Sequence, residues 1–406
     1  MPASALLALL GCARGGAPVS EPHLLAAGPD AASASPDDSA QAVVARCGFH
    51  QDFALSRKLG EGSYGSVYLA SRADDGETFA VKVTDLRRSP ATERKRPCNA
   101  HRHRQATTRE ISCLRLAAGS PYIVRFVDLF VEGGLAYVVL EKCDLSLLQH
   151  LEALPELNEE ALKPALRHML CGLAAIHSIG IAHRDVKPDN FLFHRGVVKL
   201  CDFGLACRAI NANRFELVGV VGTPAFMAPE MLRGEPYGVH VDVWSFGVIA
   251  YILCFGRYPY EPATPTGPSM IAAIREGSPA PCFRPKDLRP RGASDRAVRF
   301  LRPLLCRRPG WRPTADESRR HAFFADGAGR ADGNQISLRP MLADAKRIGA
   351  FSPIIGHQGS AGPSRIDVHL ADLQELSKKQ VASEGDGRSS ASTRAESSSC
   401  LSSVSG

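Results

Sequence analysis

The stretch His183-Arg184-Asp185-Val186-Lys187-Pro188-Asp189-Asn190 decides the fold, together with Asp202-Phe203-Gly204, which begins twelve residues after Asn190. It offers an acid that can accept a hydroxyl proton, a lysine two residues later, and two candidate metal ligands, Asn190 and Asp202. Phosphoryl transfer needs positioning and charge neutralisation more than covalent help from the protein. The stretch therefore predicts a phosphoryl-transfer site.

A glycine-rich segment upstream supports that interpretation. Gly60, Gly62 and Gly65 follow a predicted strand and would let backbone amides lie close to phosphate oxygens. Alone, this spacing could equally belong to a dinucleotide-binding loop, in which a helix opens at the glycines. Here a second strand follows instead, from Thr78 to Val83, and it carries Lys82.

Lys82 requires a partner, because a lysine on a mostly buried strand loses solvation energy unless it is paired. Glu110 is the candidate, since it opens a helical pattern that continues through Ile111 and Leu114. Considered alone, Glu110 could also lie on the exposed face of an amphipathic helix. If Lys82 is the phosphate-binding lysine, an ion pair with Lys82 is the favoured role of Glu110.

Composition limits the remaining classes of protein. The 406 residues could hold two or three domains, and 44% hydrophobic residues suffice for a sizeable core. A net charge of +7 does not by itself predict nucleic-acid binding, and no apolar run is long enough to cross a membrane. Twelve cysteines without a Cys-x-x-Cys pair predict neither zinc nor a disulfide framework. They fit the cytoplasm or nucleus, of the host cell if the chain is viral.

The chain divides into three predicted parts. Residues 1–52, interrupted by prolines at positions 18, 22, 29 and 36 among others, are expected to be a flexible leader, and the Ser-rich residues 325–406 a largely disordered tail. A basic insertion at about 87–106 is expected to be an exposed loop. It is interpreted as solvated surface, with a nuclear-import patch at Arg94-Lys95-Arg96 or a docking site for an acidic partner as alternatives.

From about Phe53 to Phe324 these motifs resemble the eukaryotic protein kinase family, serine/threonine type. The resemblance implies an α+β, two-lobed fold with a small antiparallel-sheet N-lobe (53–141) and a larger helical C-lobe (144–324). It implies ATP and Mg²⁺ as cofactors and protein substrates with Ser or Thr acceptors. The loop from Gly222 to Glu230 also resembles that of calmodulin-dependent kinases, a weaker likeness.

The same resemblance assigns roles to individual residues. Asp185 and Lys187 would be catalytic, Asn190 and Asp202 would bind magnesium, and Thr223 would belong to the substrate loop. Arg184, Glu230, Asp242 and Arg312 would support the site. The nucleotide would contact Gly60, Gly62, Gly65, Val67, Ala80, Lys82, Glu110, Glu141, Cys143, Asp144 and Leu192. Asp144 could bind a ribose hydroxyl or cap a helix.

One departure from the family's pattern concerns regulation. Between Gly204 and Gly222 there is no Ser, Thr or Tyr, so the phosphate that Arg184 would normally receive has no acceptor there. Activity is therefore expected to be independent of phosphorylation in this stretch, with Glu216 or another carboxylate as the partner of Arg184.

Two other functions are alternatives to an active protein kinase. A pseudokinase scaffold is disfavoured because Lys82, Asp185, Asn190 and Asp202 are all present. A small-molecule phosphotransferase is disfavoured by Thr223 and by the Ala228-Pro229-Glu230 ending of its loop, which build a groove for a polypeptide.

Overall fold

The structure is a computed structural model, and it describes residues 45–62, 65–87, 99–208, 216–264, 266–283, 293–325 and 337–347. A five-stranded antiparallel sheet in the order β1-β2-β3-β5-β4 forms the first lobe. Its strands are β1 (Phe53–Gly62), β2 (Gly65–Arg72), β3 (Thr78–Asp85), β4 (Phe126–Glu132) and β5 (Leu135–Glu141). Alternating side chains of β2, β3 and β5 fill one core beneath this sheet. The sheet lobe implied by the resemblance is present.

Residues just before β1 belong to this lobe as well. Helix α1 (Phe49–Asp52) places Phe49 fully inside the core, with its ring stacked on Tyr137 at a centroid distance of 4.2 Å. The Phe49 amide donates to Glu132 Oε2 at 2.9 Å. The prediction of a flexible leader through residue 52 is therefore corrected for residues 45–52, because the aromatic ring stabilises the fold by burial. Residues 1–44 lie outside the described part of the chain.

The helix beside the sheet is longer than predicted. Helix α2 runs from Asn99 to Leu116, so the second half of the predicted 87–106 loop is helical. After Pro97 the sequence holds good helix formers and no further proline, which accounts for the early start. The proposed import patch at 94–96 lies outside the described residues.

The second lobe is mainly helical. Its helices are α3 (Leu147–Ala153), α4 (Glu159–Ser178), α5 (Pro229–Leu232), α6 (His240–Phe255), α7 (Gly267–Glu276), α8 (Asp295–Leu304) and α9 (Ala315–Arg319). Its short strands are β6 (Leu145–Ser146), β7 (Ile181–Ala182), β8 (Phe191–His194), β9 (Val197–Leu200) and β10 (Cys207–Arg208), paired as β6-β8-β9 and β7-β10. From Val241 to Phe255 every residue of α6 is buried, so this helix is the centre of the lobe.

A last helix lies beyond the predicted end of the domain. Helix α10 (Arg339–Arg347) follows Leu338, whose amide donates to Leu157 O at 2.5 Å. The side chains of Leu338, Met341 and Leu342 are buried in the core of the helical lobe. The predicted disordered tail is therefore corrected for residues 337–347. None of the helices in the described ranges has the length and apolar character that crossing a membrane requires.

Candidate active site

Lys82 lies between two carboxylates in the cleft. Its Nζ is 2.8 Å from Glu110 Oε2, on α2, and 2.7 Å from Asp202 Oδ1. Burial alone would lower the pKa of Lys82, but the charges of Asp202 and Glu110 outweigh burial and hold it above its ordinary value. Lys82, on β3, is therefore a cation held in place by Glu110 on α2 and by Asp202 in the metal loop (residues 202–204). The ion pair with Glu110 is the one that the sequence predicted.

Asp185 is surrounded by hydrogen-bond donors. Thr223 Oγ1 donates to its Oδ1 at 2.8 Å, and Lys187 Nζ donates to its Oδ2 at 2.7 Å. Lys187 Nζ also contacts Thr223 Oγ1 at 3.2 Å. Burial would lower the pKa of Lys187, but Asp185 raises it above its usual value, so the lysine stays charged. The catalytic loop (residues 183–190) and the substrate loop (residues 222–230) therefore meet at the Asp185 carboxylate.

The two predicted metal ligands lie beside this cluster. The side-chain amide of Asn190 donates to the main-chain oxygen of Asp185 at 2.8 Å, which directs its own oxygen away from that contact. Burial would raise the pKa of Asp202, but Lys82 lowers it below its ordinary value, so Asp202 is ionised. No cluster of three or more His, Cys, Asp or Glu ligands occurs among the described residues. One amide and one carboxylate oxygen fit Mg²⁺, which takes few protein ligands and relies on water and substrate phosphates for the rest.

Asp242 on α6 anchors the catalytic loop from below. It accepts hydrogen bonds from the amides of His183 at 2.7 Å and Arg184 at 2.9 Å, and His177 Nε2 lies 2.9 Å from it. Burial would raise the pKa of Asp242, but the His177 hydrogen bond brings it below its usual value. Arg184 has a φ of 66°, an uncommon backbone conformation that these hydrogen bonds hold in place.

A second support ties the end of the substrate loop to the lobe. Arg312 donates to both carboxylate oxygens of Glu230, at 2.6 and 2.8 Å, and both side chains are buried. Paired, hydrogen-bonded charges avoid the cost of isolated buried ones. The structure thus pairs Glu230 with Arg312, as the resemblance implied, while Asp242 supports the catalytic loop separately.

The predicted nucleotide contacts are placed in part. Strand β2 pairs Val67 with Lys82, and Ala80 lies two residues from Lys82, so the three share one face of the sheet. Gly62 pairs with Gly65 at the start of the hairpin. Cys143 is half-buried, and burial raises the pKa of its thiol to about 12. Leu192 lies in β8, opposite Lys199. Their contacts to a nucleotide stay predictions.

Glu141 and Asp144, which lie between the two lobes in the sequence, have hydrogen-bond partners within the protein. Glu141 Oε1 accepts hydrogen bonds from Lys199 Nζ and from the Arg125 amide, each at 2.7 Å. Asp144 Oδ2 accepts from the Arg195 amide at 3.1 Å, in the turn between β8 and β9. The cap of α3 is Ser146, so the capping role left open for Asp144 is excluded. Its contact with a ribose stays a prediction.

The sequence did not predict the hydrogen bonds that hold the metal loop. Arg109 Nη1 donates to Gly204 O at 2.9 Å, and Arg184 Nε donates to Leu205 O at 2.8 Å. Arg184 Nη1 also donates to the Tyr237 hydroxyl at 3.2 Å. Within the described residues, these neutral oxygens correct the prediction that Glu216 or another carboxylate receives Arg184. The position of Arg109 beside Glu110 was the available signal; nothing in the sequence marked Tyr237.

Comparison with known proteins agrees with this geometry. The model of the protein kinase domain family matches residues 53–324. The serine/threonine-protein kinase STE20 of Candida glabrata is 31% identical over 292 residues, covering 72% of this chain and 29% of that protein. The serine/threonine-protein kinase PAK 4 of Mus musculus is 33% identical over 268 residues, covering 66% and 42%. The serine/threonine-protein kinase fused of Drosophila melanogaster is 34% identical over 212 residues, covering 51% and 24%.

This chain spans less than half the length of each of these relatives. The likeness to calmodulin-dependent kinases stays a prediction. A domain model matching about two-thirds of the chain, a two-lobed structure and the assembled Lys82, Asp185 and Asp202 cluster lead to one conclusion: the chain belongs to the eukaryotic protein kinase family, serine/threonine type.

Proposed function

We propose that the protein transfers the gamma phosphate of ATP to serine or threonine hydroxyls of protein substrates. The single observation that supports this best is the contact of Lys187 and Thr223 with the same Asp185 carboxylate. A base and a cation are thereby fixed where the substrate loop begins, which is the positioning that phosphoryl transfer requires.

Asp185 would orient the acceptor hydroxyl and take its proton. Its Oδ2 accepts from Lys187 and, at 3.5 Å, from Asn190, whereas its Oδ1 accepts from Thr223 and has a further lone pair for a substrate hydroxyl. Lys187 would balance negative charge on the transferred group, and Lys82 would bind phosphate oxygens from the opposite side of the cleft. All three charges are fixed before substrate binds, which reduces reorganisation in the transition state.

Asn190 and Asp202 would hold magnesium. When bound, the metal neutralises charge on the phosphate oxygens and helps to orient them. Asp202 is ionised and only partly exposed, so it can serve as a ligand without first losing a proton. Asn190 is held by its hydrogen bond to Asp185, which keeps the two sites in register.

The test compares phosphate transfer from labelled ATP and magnesium to generic protein substrates. Lys82→Met and Asp202→Ala should lower the rate by about a thousandfold, as when a main source of charge stabilisation is removed. Lys163→Met, which removes a lysine paired with Glu160 on α4, should keep the wild-type rate. No transfer by the folded wild type above the two cleft variants would contradict the proposal and favour the signalling scaffold.

We also infer that this activity does not need phosphorylation between residues 204 and 222. The support is chemical, because no hydroxyl side chain occurs there and the Arg184 guanidinium is already bound by Leu205 and Tyr237. Protein made in bacteria and treated with phosphatase should be fully active. Phosphatase-treated protein that stays at least tenfold below the rate it reaches after incubation with an upstream kinase would contradict the inference, because activity would then depend on an added phosphate.

A further inference from the structure

Residues 216–222 lead into the substrate loop, and apolar burial holds only part of them. Leu217 is buried and Val221 packs against the core while partly buried, whereas Val218 and Val220 are 65% and 56% exposed. Exposed side chains add little to the stability of a segment. Hydrogen bonds must therefore account for much of its placement.

Tyr237, in the loop between α5 and α6, supplies these hydrogen bonds. Its amide donates to Leu217 O at 2.8 Å, and the Leu217 amide donates to Tyr237 O at 2.9 Å. Its hydroxyl donates to Gly219 O at 2.9 Å, with Val218 O at 3.4 Å. The main chain of Tyr237 thus holds Leu217, and its fully buried side chain holds Val218 and Gly219.

The same hydroxyl connects the segment to the catalytic loop. Arg184 Nη1 donates to it at 3.2 Å, while Arg184 Nε donates to Leu205 O beside the metal loop. Burial raises the pKa of Tyr237 despite the nearby guanidinium, so the hydroxyl keeps its proton at neutral pH. A neutral hydroxyl can accept from Arg184 and donate to Gly219 at the same time.

The position of this segment bears directly on Asp185. Gly222 has a φ of 106°, and a Cβ at that position would lie 2.3 Å from Arg184 O. The substrate loop is thus packed against the catalytic loop immediately before Thr223, which donates to Asp185. A shift of residues 217–219 would move Thr223 away from the catalytic carboxylate.

We propose that Tyr237 is a positioning residue whose hydroxyl takes the place of an activation-segment phosphate, linking Arg184 to Gly219 and so fixing Thr223 at Asp185. This inference rests on the proposed kinase function. A phosphate would offer Arg184 an acceptor attached to the segment itself. Tyr237 offers a permanent acceptor, attached to the segment through two main-chain hydrogen bonds to Leu217 and through the hydroxyl.

Tyr237→Phe tests the role of the hydroxyl with minimal change in volume. We expect kcat/KM for the protein substrate to fall about tenfold, as for the loss of one hydrogen bond to a charged group, and KM for ATP to stay within twofold. Tyr251→Phe is the matched control, since the Tyr251 hydroxyl is also buried and donates to Cys282 O at 2.7 Å, away from the site. Tyr237→Phe kinetics equal to those of Tyr251→Phe would overturn the proposal.

A double-mutant cycle separates positioning from general destabilisation. If the hydroxyl acts through Arg184, adding Tyr237→Phe to Arg184→Gln should lower kcat/KM by less than twofold beyond Arg184→Gln alone. Full additivity of the two losses would overturn the link.

Hydrogen exchange of residues 216–222 gives a readout that needs no activity. The rate should rise about tenfold in Tyr237→Phe and stay unchanged in Tyr251→Phe. If the wild-type protein transfers no phosphate, the proposed function is contradicted. If exchange nevertheless rises in Tyr237→Phe and not in Tyr251→Phe, the link between Tyr237 and the segment remains supported. Unchanged exchange in Tyr237→Phe would overturn that link in either case.

Discussion

At the scale of single residues, Gly60 in β1 and Gly65 at the start of β2 are glycines for different reasons. A Cβ on Gly65 would lie 2.2 Å from Val83 O, so the packing of β2 against β3 itself excludes a side chain there. A Cβ on Gly60 would meet no atom of the described residues within 4 Å, and the φ of Gly60 lies outside the left-handed region. The folded chain does not require glycine at position 60, whereas close approach of a phosphate would.

The two alanine substitutions should therefore separate stability from nucleotide binding. Gly65→Ala should lower the free energy of unfolding by about 2 kcal/mol, the usual cost of overpacking. Gly60→Ala should leave it within about 0.5 kcal/mol and raise KM for ATP roughly tenfold, as for one lost hydrogen bond. Denaturant unfolding and steady-state kinetics measure both quantities. A Gly60→Ala variant with unchanged KM for ATP would contradict the assigned role.

At the scale of elements, α6 does more than fill the core. Its fully buried Asp242 contacts His177 on α4 and the amides of His183 and Arg184 on the catalytic loop. The charge of this carboxylate is compensated by three hydrogen bonds, so it can be buried. One side chain thereby fixes two helices and the catalytic loop relative to each other.

Replacing Asp242 by Asn should reveal this in the pH dependence of stability. Since the folded pKa of Asp242 is lowered, its contribution is fully present above the unfolded value of about 4 and is lost as the pH falls through the folded pKa. At pH 7 the variant should lose about 3 kcal/mol of unfolding free energy. Urea titrations at a series of pH values measure this. The difference in unfolding free energy between wild type and variant should shrink as the pH is lowered, down to the lowest pH at which both fold.

A difference that stays constant with pH would contradict this assignment. Asp128→Asn is the control, because Asp128 pairs with Arg46, whose side chain is 55% exposed. An ion pair of that kind contributes less than about 1 kcal/mol.

At the scale of the whole molecule, the folded unit extends beyond residues 53–324 at both ends. Phe49 completes the core of the sheet lobe, and Leu338, Met341 and Leu342 are part of the core of the helical lobe. Arg339 adds hydrogen bonds to the carbonyls of Leu154 and Pro155, in the loop that precedes α4. These flanking residues stabilise lobes whose boundaries the kinase motifs do not mark.

Phe49→Ala and Leu338→Ala should each lower the free energy of unfolding by about 3 kcal/mol, the typical cost of removing a large buried side chain. Leu116→Ala, at a position that is 40% exposed, should change it by less than about 0.5 kcal/mol. Chemical denaturation of the full chain measures all three. Unfolding midpoints for Phe49→Ala or Leu338→Ala equal to that of Leu116→Ala would show that the flanking contact in question does not stabilise the domain.

The sequence by itself determined which side chains could carry the chemistry. Phosphate and metal chemistry restrict the residue types at positions such as Lys82, Asp185 and Asp202, and their order along the chain is enough to recognise the family. The resemblance also implied the pairing of Glu230 with Arg312, although 82 residues separate them. These features were predictable because each depends on a motif with fixed local spacing.

Only the tertiary structure decided which neutral groups hold those side chains in place. The acceptors of Arg184, the turn bound by Asp144 and the two flanking segments all depend on contacts between distant parts of the chain. Tyr237 is the clearest case, since 53 residues separate it from Arg184 and no motif marks it. From the sequence, such a tyrosine is predicted only to be a core residue. Which group its hydroxyl bonds to is determined by tertiary packing.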